Sequence, residues 1–255
     1  MLLSITERCR MGCSHCMDDA KPEGNDMDYK TFKDAIEFNF KYDNVLIVTG
    51  GEPTEHPMFW KFMFYIVKNY NNSEHVIIIT TNGMNIDNDP SGIIYERMVK
   101  LNKIFKGLLY WQVSIVPEYY KIKINEDCNT FKIDNVQIDR ELAGIYPQGR
   151  AVKNNIPIRN AKASKCFNLR SFIRNSKYSF SNTITALRVT GKFCTPQISY
   201  DGKIKLGESL LCPPVSSIYD DIEYITNSIY NFKCSGCNIL NDKLPYKYLK
   251  AIGEV

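Results

Sequence analysis

The sequence predicts an α/β chain built on a parallel sheet, and three observations carry that expectation. Short β-branched runs alternate with longer segments whose apolar residues recur at helical spacing. Runs such as "VLIVT" and "HVIIIT" lack a polar face, as strands covered on both sides require. The alternation repeats at about the length of one βα unit, which favours parallel pairing. A barrel and an open doubly wound sheet both satisfy this pattern.

The elements follow in order. "MLLSIT" is the first strand and "YKTFKDAIEFNFKY" the helix after it; "NVLIVT" is followed by "MFWKFMFYIVKNY", and "HVIIIT" by "SGIIYERMVKLNKIF". "GLLYWQVSI" is the fourth strand. The strands end near Thr6, Thr49, Thr81 and Ser114. Beyond about residue 117 the periodicity weakens, and the stretch to about 190 is mixed. Residues 191–255 read as a hairpin about Asp201-Gly202, a dipeptide that favours a tight type I′ turn, then a helix over "SIYDDIEYITNSIYNF", a Cys-x-x-Cys turn and a short terminal helix.

Composition narrows the chemistry. With 255 residues, 44% hydrophobic and 24% charged, the chain can bury a core without disulfide staples, so its nine cysteines need another explanation. No basic region and apolar stretch of the signal-peptide kind precedes the first cysteine, and no apolar run approaches the ~18 residues of a membrane span. The expectation is a cytoplasmic protein whose clustered thiols bind metal or do chemistry. A net charge of +4 without any Lys/Arg block argues against nucleic acid as partner, and no membrane partner is expected.

The unusual residues share one address. "CRMGCSHC" with Cys9, Cys13 and Cys16, "GGEP" from Gly50 to Pro53, "TNG" from Thr81 to Gly83, and Ser114 each follow a strand directly. Ligands of parallel α/β folds sit at the carboxyl ends of strands, so all four would face one mouth. Three thiolates are one short of closing a zinc site or ligating every iron of a cubane cluster, which leaves one metal position open. The competing reading is a zinc site of three cysteines and His15.

Cys9-x3-Cys13-x2-Cys16 after the first strand, with Gly50-Gly51-Glu52-Pro53 after the second, resembles the radical S-adenosylmethionine superfamily. The resemblance implies a partial (β/α)6 barrel and a [4Fe–4S] cluster on Cys9, Cys13 and Cys16. S-adenosylmethionine would chelate the fourth iron through its amino and carboxylate groups. It further implies one-electron cleavage to methionine and a 5′-deoxyadenosyl radical that abstracts hydrogen from substrate. By the same resemblance Gly50, Gly51 and Glu52 lie by the methionine amino group, Ser114 by the ribose, and Asn82 in the third-strand motif. His15 stands where the family usually has an aromatic near the adenine.

The later cysteines suggest a second metal site. Cys194 and Cys212 flank the predicted hairpin, and Cys234 and Cys237 form "CSGC"; four thiols can close a site as zinc or as a cluster. The arrangement resembles a Twitch domain, the shortened SPASM extension, with an auxiliary [4Fe–4S] cluster on Cys194, Cys212, Cys234 and Cys237. "GRA" at Gly149 to Ala151 resembles the linker of SPASM-type enzymes. Cys128 and Cys166 have no assigned role. The expected organisation is a radical SAM partial barrel over 1–160, a connecting region over 161–190 and a Twitch/SPASM-like cluster domain over 191–255.

The expected function is an oxygen-sensitive oxidoreductase that oxidatively modifies or cross-links a peptide, supplied with electrons by a flavodoxin or ferredoxin. The first strand begins at about residue 2 with no leader-binding module before it, which counts against a peptide maturase unless leader recognition lies on a separate protein. The alternatives are a dehydrogenase of a sugar or aminocyclitol, and a non-catalytic iron–sulfur redox sensor or scaffold.

Overall fold

The computed structural model describes residues 1–89, 91–125, 133–142, 145, 149–157, 180–181, 184, 196–207 and 213–232. Cys128, Cys166, Cys194, Cys212, Cys234 and Cys237 lie outside these residues, and so does the expected second metal site.

The predicted alternation is present. Strand β1 spans Leu2–Ser4, helix α1 Tyr29–Tyr42, β2 Val45–Thr49, α2 Phe59–Asn69 and β3 Val76–Thr81. The one-turn α3 covers Met84–Asp87, α4 Ile93–Ile104 and β4 Leu108–Ser114. Asp28 starts α1 by accepting the Lys30 and Thr31 N–H groups, which satisfies two of the four donors a helix start leaves open. Phe32, Ala35, Ile36 and Asn39 then form its buried stripe. Phe32 stacks on Phe62 of α2 with ring centroids 3.8 Å apart, and both rings are wholly buried. Each contributes about 1.5–3 kcal/mol by leaving water. That stack binds the first two helices to each other and to the sheet.

All described strands form one sheet in the order β5-β4-β3-β2-β1-β6-β7-β8. Strand β5 (Val136–Asp139) runs parallel to β4, and its short, half-buried, polar sequence hid it from periodicity. Strand β6 (Gln197–Ile198) pairs parallel with β1, so the sixth parallel neighbour comes from the last quarter of the chain and sits on the β1 side. Strands β7 (Lys203–Lys205) and β8 (Pro214–Ser217) follow antiparallel. The sheet is open among the described residues, with β5 at one edge and β8 at the other; the architecture is α/β and a partial barrel rather than a closed one. Helix α5 is Gly149–Lys153, and α6 (Ile222–Asn231) buries Ile225 and Ile229. No described helix is long and apolar enough to cross a membrane.

The hairpin turn departs from expectation. Ile198 pairs with Ile204 and Ser199 N–H donates to Lys203 O, so the loop is Tyr200-Asp201-Gly202, three residues rather than two. Of these only Gly202 has positive φ, +78°, whereas a type I′ turn needs it at both central residues. The Asp201 carboxylate explains the choice: it accepts from the Ser199 hydroxyl and the Lys203 N–H, holding a turn that ends at the glycine.

Candidate functional site

The site is built on the long β1–α1 connection, which is anchored in steps. Thr6 hydroxyl donates to Asp26, and the Arg8 guanidinium pairs with the same carboxylate at 2.7 Å. Cys9 N–H donates to Lys21 O, folding the loop back on itself. Arg10 reaches Glu55 at 3.2 Å and Asn85 at 2.9 Å, which ties the loop to the segments after β2 and β3. Ser14 N–H donates to Tyr119 O, and Asn154 donates to Ser14 O at 2.9 Å.

Cys9, Cys13 and Cys16 thereby gather in one small apolar cluster with Met11, Ala20 and Met84, against Tyr120, Ile122 and Ile124. Burial pushes the Cys9 and Cys13 thiols up to about 12, so as free thiols both stay protonated at neutral pH. A bound cation reverses this preference, because a metal takes the thiolate. Among the described residues no three His, Cys, Asp or Glu side chains are placed to hold a single metal ion.

The Gly-Gly-Glu turn packs directly on this loop. Gly51 N–H donates to Thr6 O and Glu52 N–H to Arg8 O, both at 2.7 Å. A Cβ on Gly50 would stand 2.3 Å from Thr6 O, and one on Gly51 2.4 Å from Arg8 O. Both glycines are therefore required by the approach of two backbones, whatever further contact they make. The Glu52 side chain is fully buried: Oε1 accepts from Thr54 N–H, Thr54 Oγ1 and Thr81 Oγ1, and Oε2 from Asn82 N–H at 2.7 Å. Burial raises its pKa, while these donors pull the other way. Its carboxylate thus welds the β2 and β3 loops together, and any cofactor contact at Gly50, Gly51 or Glu52 would fall to the backbone.

Asn82 is brought to the cysteines. Its Oδ1 accepts Met84 N–H at the start of α3, and its Nδ2 donates to Cys9 Sγ at 3.6 Å. His15 lies edge-on to Tyr119 with centroids 4.8 Å apart, its Nδ1 buried without a partner, and burial, followed by the charge of Arg150, lowers its pKa. Ser114 stands half-buried at the end of β4 opposite Asp139, and its carbonyl accepts the Tyr120 hydroxyl. Asp139 in turn accepts from Gln112 at 2.6 Å and Gln137 at 2.8 Å. Periodicity did not reveal Tyr120 or Asp139, because neither lies in a patterned run. Arg150 was visible only as part of "GRA"; its Nε donates to Cys13 O and its Nη1 to Ala20 O.

A cavity of about 510 Å³ opens beside the loop, lined by Cys9, Gly12, Ser14, Tyr120, Lys121 and Arg150 among others.

The largely parallel sheet thus presents three cysteines after its first strand and Gly-Gly-Glu after its second. Residues 3–116 match the family model described as Radical SAM superfamily. The uncharacterized protein MJ0907 of Methanocaldococcus jannaschii is 32% identical over 111 residues, which is 42% of this chain and 38% of that protein. The matched region is thus well under half of that relative. Among solved structures, Streptococcus suis SuiB bound to precursor peptide SuiA is similar at 13% identity and a TM-score of 0.46, covering 94% of this chain and 68% of SuiB. Native anSMEcpe with bound AdoMet and the Cp18Cys peptide is similar at 13% identity and a TM-score of 0.43, covering 91% and 79% of the two chains. Both likenesses are loose, and the family assignment rests on residues 3–116.

Proposed function

We propose that this chain is a radical S-adenosylmethionine enzyme that oxidatively modifies a peptide, with Cys9, Cys13 and Cys16 holding a [4Fe–4S] cluster. The single observation that carries the reading is the gathering of these three thiols, Cys9 buried and Cys13 and Cys16 half-buried, in one apolar cluster at the strand ends, on a loop that Gly51 and Glu52 grip through Thr6 and Arg8. When bound, the cluster supplies one electron for reductive cleavage of S-adenosylmethionine to a 5′-deoxyadenosyl radical.

The chain's own residues set the conditions. Met11, Met84, Ile122 and Ile124 pack around the thiols and make their surroundings apolar. Asn82 donates to Cys9 Sγ, which favours the thiolate that a metal takes. The Glu52 carboxylate fixes Asn82 for that contact through its backbone N–H. Ser114, beside the Asp139 carboxylate, supplies polar groups at the end of β4 for the ribose of the cofactor.

The peptide substrate rests on the "GGEP" and "GRA" resemblance together with the domain match. The auxiliary cluster on Cys194, Cys212, Cys234 and Cys237, and a flavodoxin or ferredoxin as electron donor, belong to the same proposal.

Anaerobically reconstituted protein, given dithionite and S-adenosylmethionine, should release 5′-deoxyadenosine, and replacement of Cys9, Cys13 and Cys16 by alanine should abolish it. No 5′-deoxyadenosine under several reductants would refute the enzyme reading. Co-expression with a short peptide encoded nearby, followed by mass spectrometry, tests the substrate: loss of two hydrogens supports oxidative modification, and an unchanged peptide beside an oxidised sugar refutes it.

A further inference from the structure

The cysteine loop is closed from outside by a residue more than a hundred positions away. Gly149, at φ +54°, lets α5 start against the carbonyls of Cys16 and Met17, and Arg150 N–H donates to Cys16 O at 2.9 Å. The Arg150 side chain then enters the loop, 18% exposed. Nε donates to Cys13 O at 2.8 Å and Nη1 to Ala20 O at 2.7 Å, with Asp19 at 3.5 Å. Lys153 pairs with that same Asp19, so one carboxylate is shared between two cations.

Nη2 is different: it is buried and has no acceptor. A guanidinium N–H withdrawn from water without a partner is costly, and native proteins seldom leave one so. The orphaned donor indicates an anionic acceptor inside the loop.

We infer that Arg150 holds the cysteine loop with Nε and Nη1 and donates through Nη2 to a sulfur of the cluster carried by Cys9, Cys13 and Cys16, making that cluster easier to reduce. The inference rests on the cluster assignment proposed above. A hydrogen bond to sulfur and a nearby cation each stabilise the reduced, more negative form, and both raise a cluster's potential. The other anion at hand would be the carboxylate of S-adenosylmethionine, and the experiment separates the two.

The test is a dithionite titration of the reconstituted protein, followed by electron paramagnetic resonance, without S-adenosylmethionine and then with it. Residual signal from the later thiols is removed by making every variant in a background lacking Cys194, Cys212, Cys234 and Cys237. Arg150→Gln should shift the cluster's reduction equilibrium about tenfold towards the oxidised form, ~59 mV for a one-electron couple, in the cofactor-free protein. Arg150→Lys, which keeps the charge and loses the fork, should shift it less. Asn154→Ala loosens the same loop at Ser14 without removing charge and should leave the potential unchanged. If Arg150→Gln fails to retain iron, Arg150→Lys decides, and a parental potential in that variant overturns the inference. An equal shift from Asn154→Ala, or a shift seen only with S-adenosylmethionine, also overturns it. Failure of the parental protein to bind iron through Cys9, Cys13 and Cys16 would instead sink the cluster assignment.

Discussion

Glu52→Gln is the sharpest probe of how the site is held. The carboxylate accepts from four donors, two of them the backbone N–H groups of Thr54 and Asn82 that cannot turn away. Glutamine has one acceptor oxygen. If that oxygen keeps Thr54 and Thr81, the amide nitrogen faces Asn82 N–H across 2.7 Å and two donors oppose each other. A buried donor left unmade costs about 1–3 kcal/mol, and the weakening of the remaining charge-assisted bonds adds about 1 kcal/mol. Part returns because the variant no longer buries a carboxyl whose pKa burial has raised. A net loss of about 2 kcal/mol remains, which in a chain of this size lowers Tm by about 4–8 °C. Differential scanning fluorimetry of the iron-free, reduced protein measures it. Thr81→Val in the Glu52→Gln background should be non-additive by about 0.5–3 kcal/mol, because both side chains belong to one network. A Tm within 1 °C of wild type, as read by this assay with its ordinary precision of about 1 °C, would refute the network as the link between the β2 and β3 loops.

Two more outcomes follow from the same region. His56 is buried, its Nε2 against Met27 O at 2.9 Å and its Nδ1 accepting Met58 N–H at 3.0 Å; burial lowers its pKa, so the unfolded chain takes the proton first. The stability it contributes is therefore complete above its unfolded pKa of about 6.5 and is lost as pH falls through the folded value. The urea midpoint should decline between pH 7 and 5, and His56→Gln should flatten the decline; an identical slope in the variant would count against this. Gly149→Ala places a Cβ 2.4 Å from Met17 O and 2.5 Å from Cys16 O at a left-handed φ that costs about 1–2 kcal/mol, so α5 must lift from the cysteine loop. Iron bound per chain after gel filtration should fall, and full retention would show that α5 does not hold the loop.

The strands and helices of the first half were legible because each of their side chains reports burial locally: "VLIVT" is apolar on both faces, and the stripe of Phe32, Ala35 and Ile36 repeats at helical spacing. The cysteine loop was legible for a different reason, since three thiols at that spacing have few other uses. Strand β5 was hidden because Val136–Asp139 is short and half-buried, with Gln137 and Asp139 polar. The turn at Asp201-Gly202 was misread because the dipeptide fits two geometries, and the choice lies with the bonds from Ser199 and Lys203 to the Asp201 carboxylate. The inward turn of Glu52 and the reach of Arg150 to Cys13 were not legible at all. Both depend on partners 29 or more residues distant, and nothing in "GGEP" or "GRA" names those partners.

Strand β1 has two neighbours made at very different times. Val45–Thr49 follows it by about 45 residues, but Leu2 and Leu3 must wait for Gln197 and Ile198, with Leu2 N–H donating to Pro196 O. At translation rates of 5–20 residues per second the interval between the two neighbours is about 8–30 s. Throughout it, the strand that leads into the cysteine loop presents one bare edge to the surroundings. Closure of that edge spans nearly the whole sequence, which makes it a slow, non-local step. Newly made chains should therefore be most vulnerable to aggregation at β1, and most dependent on chaperones, until the β6–β7 hairpin has docked.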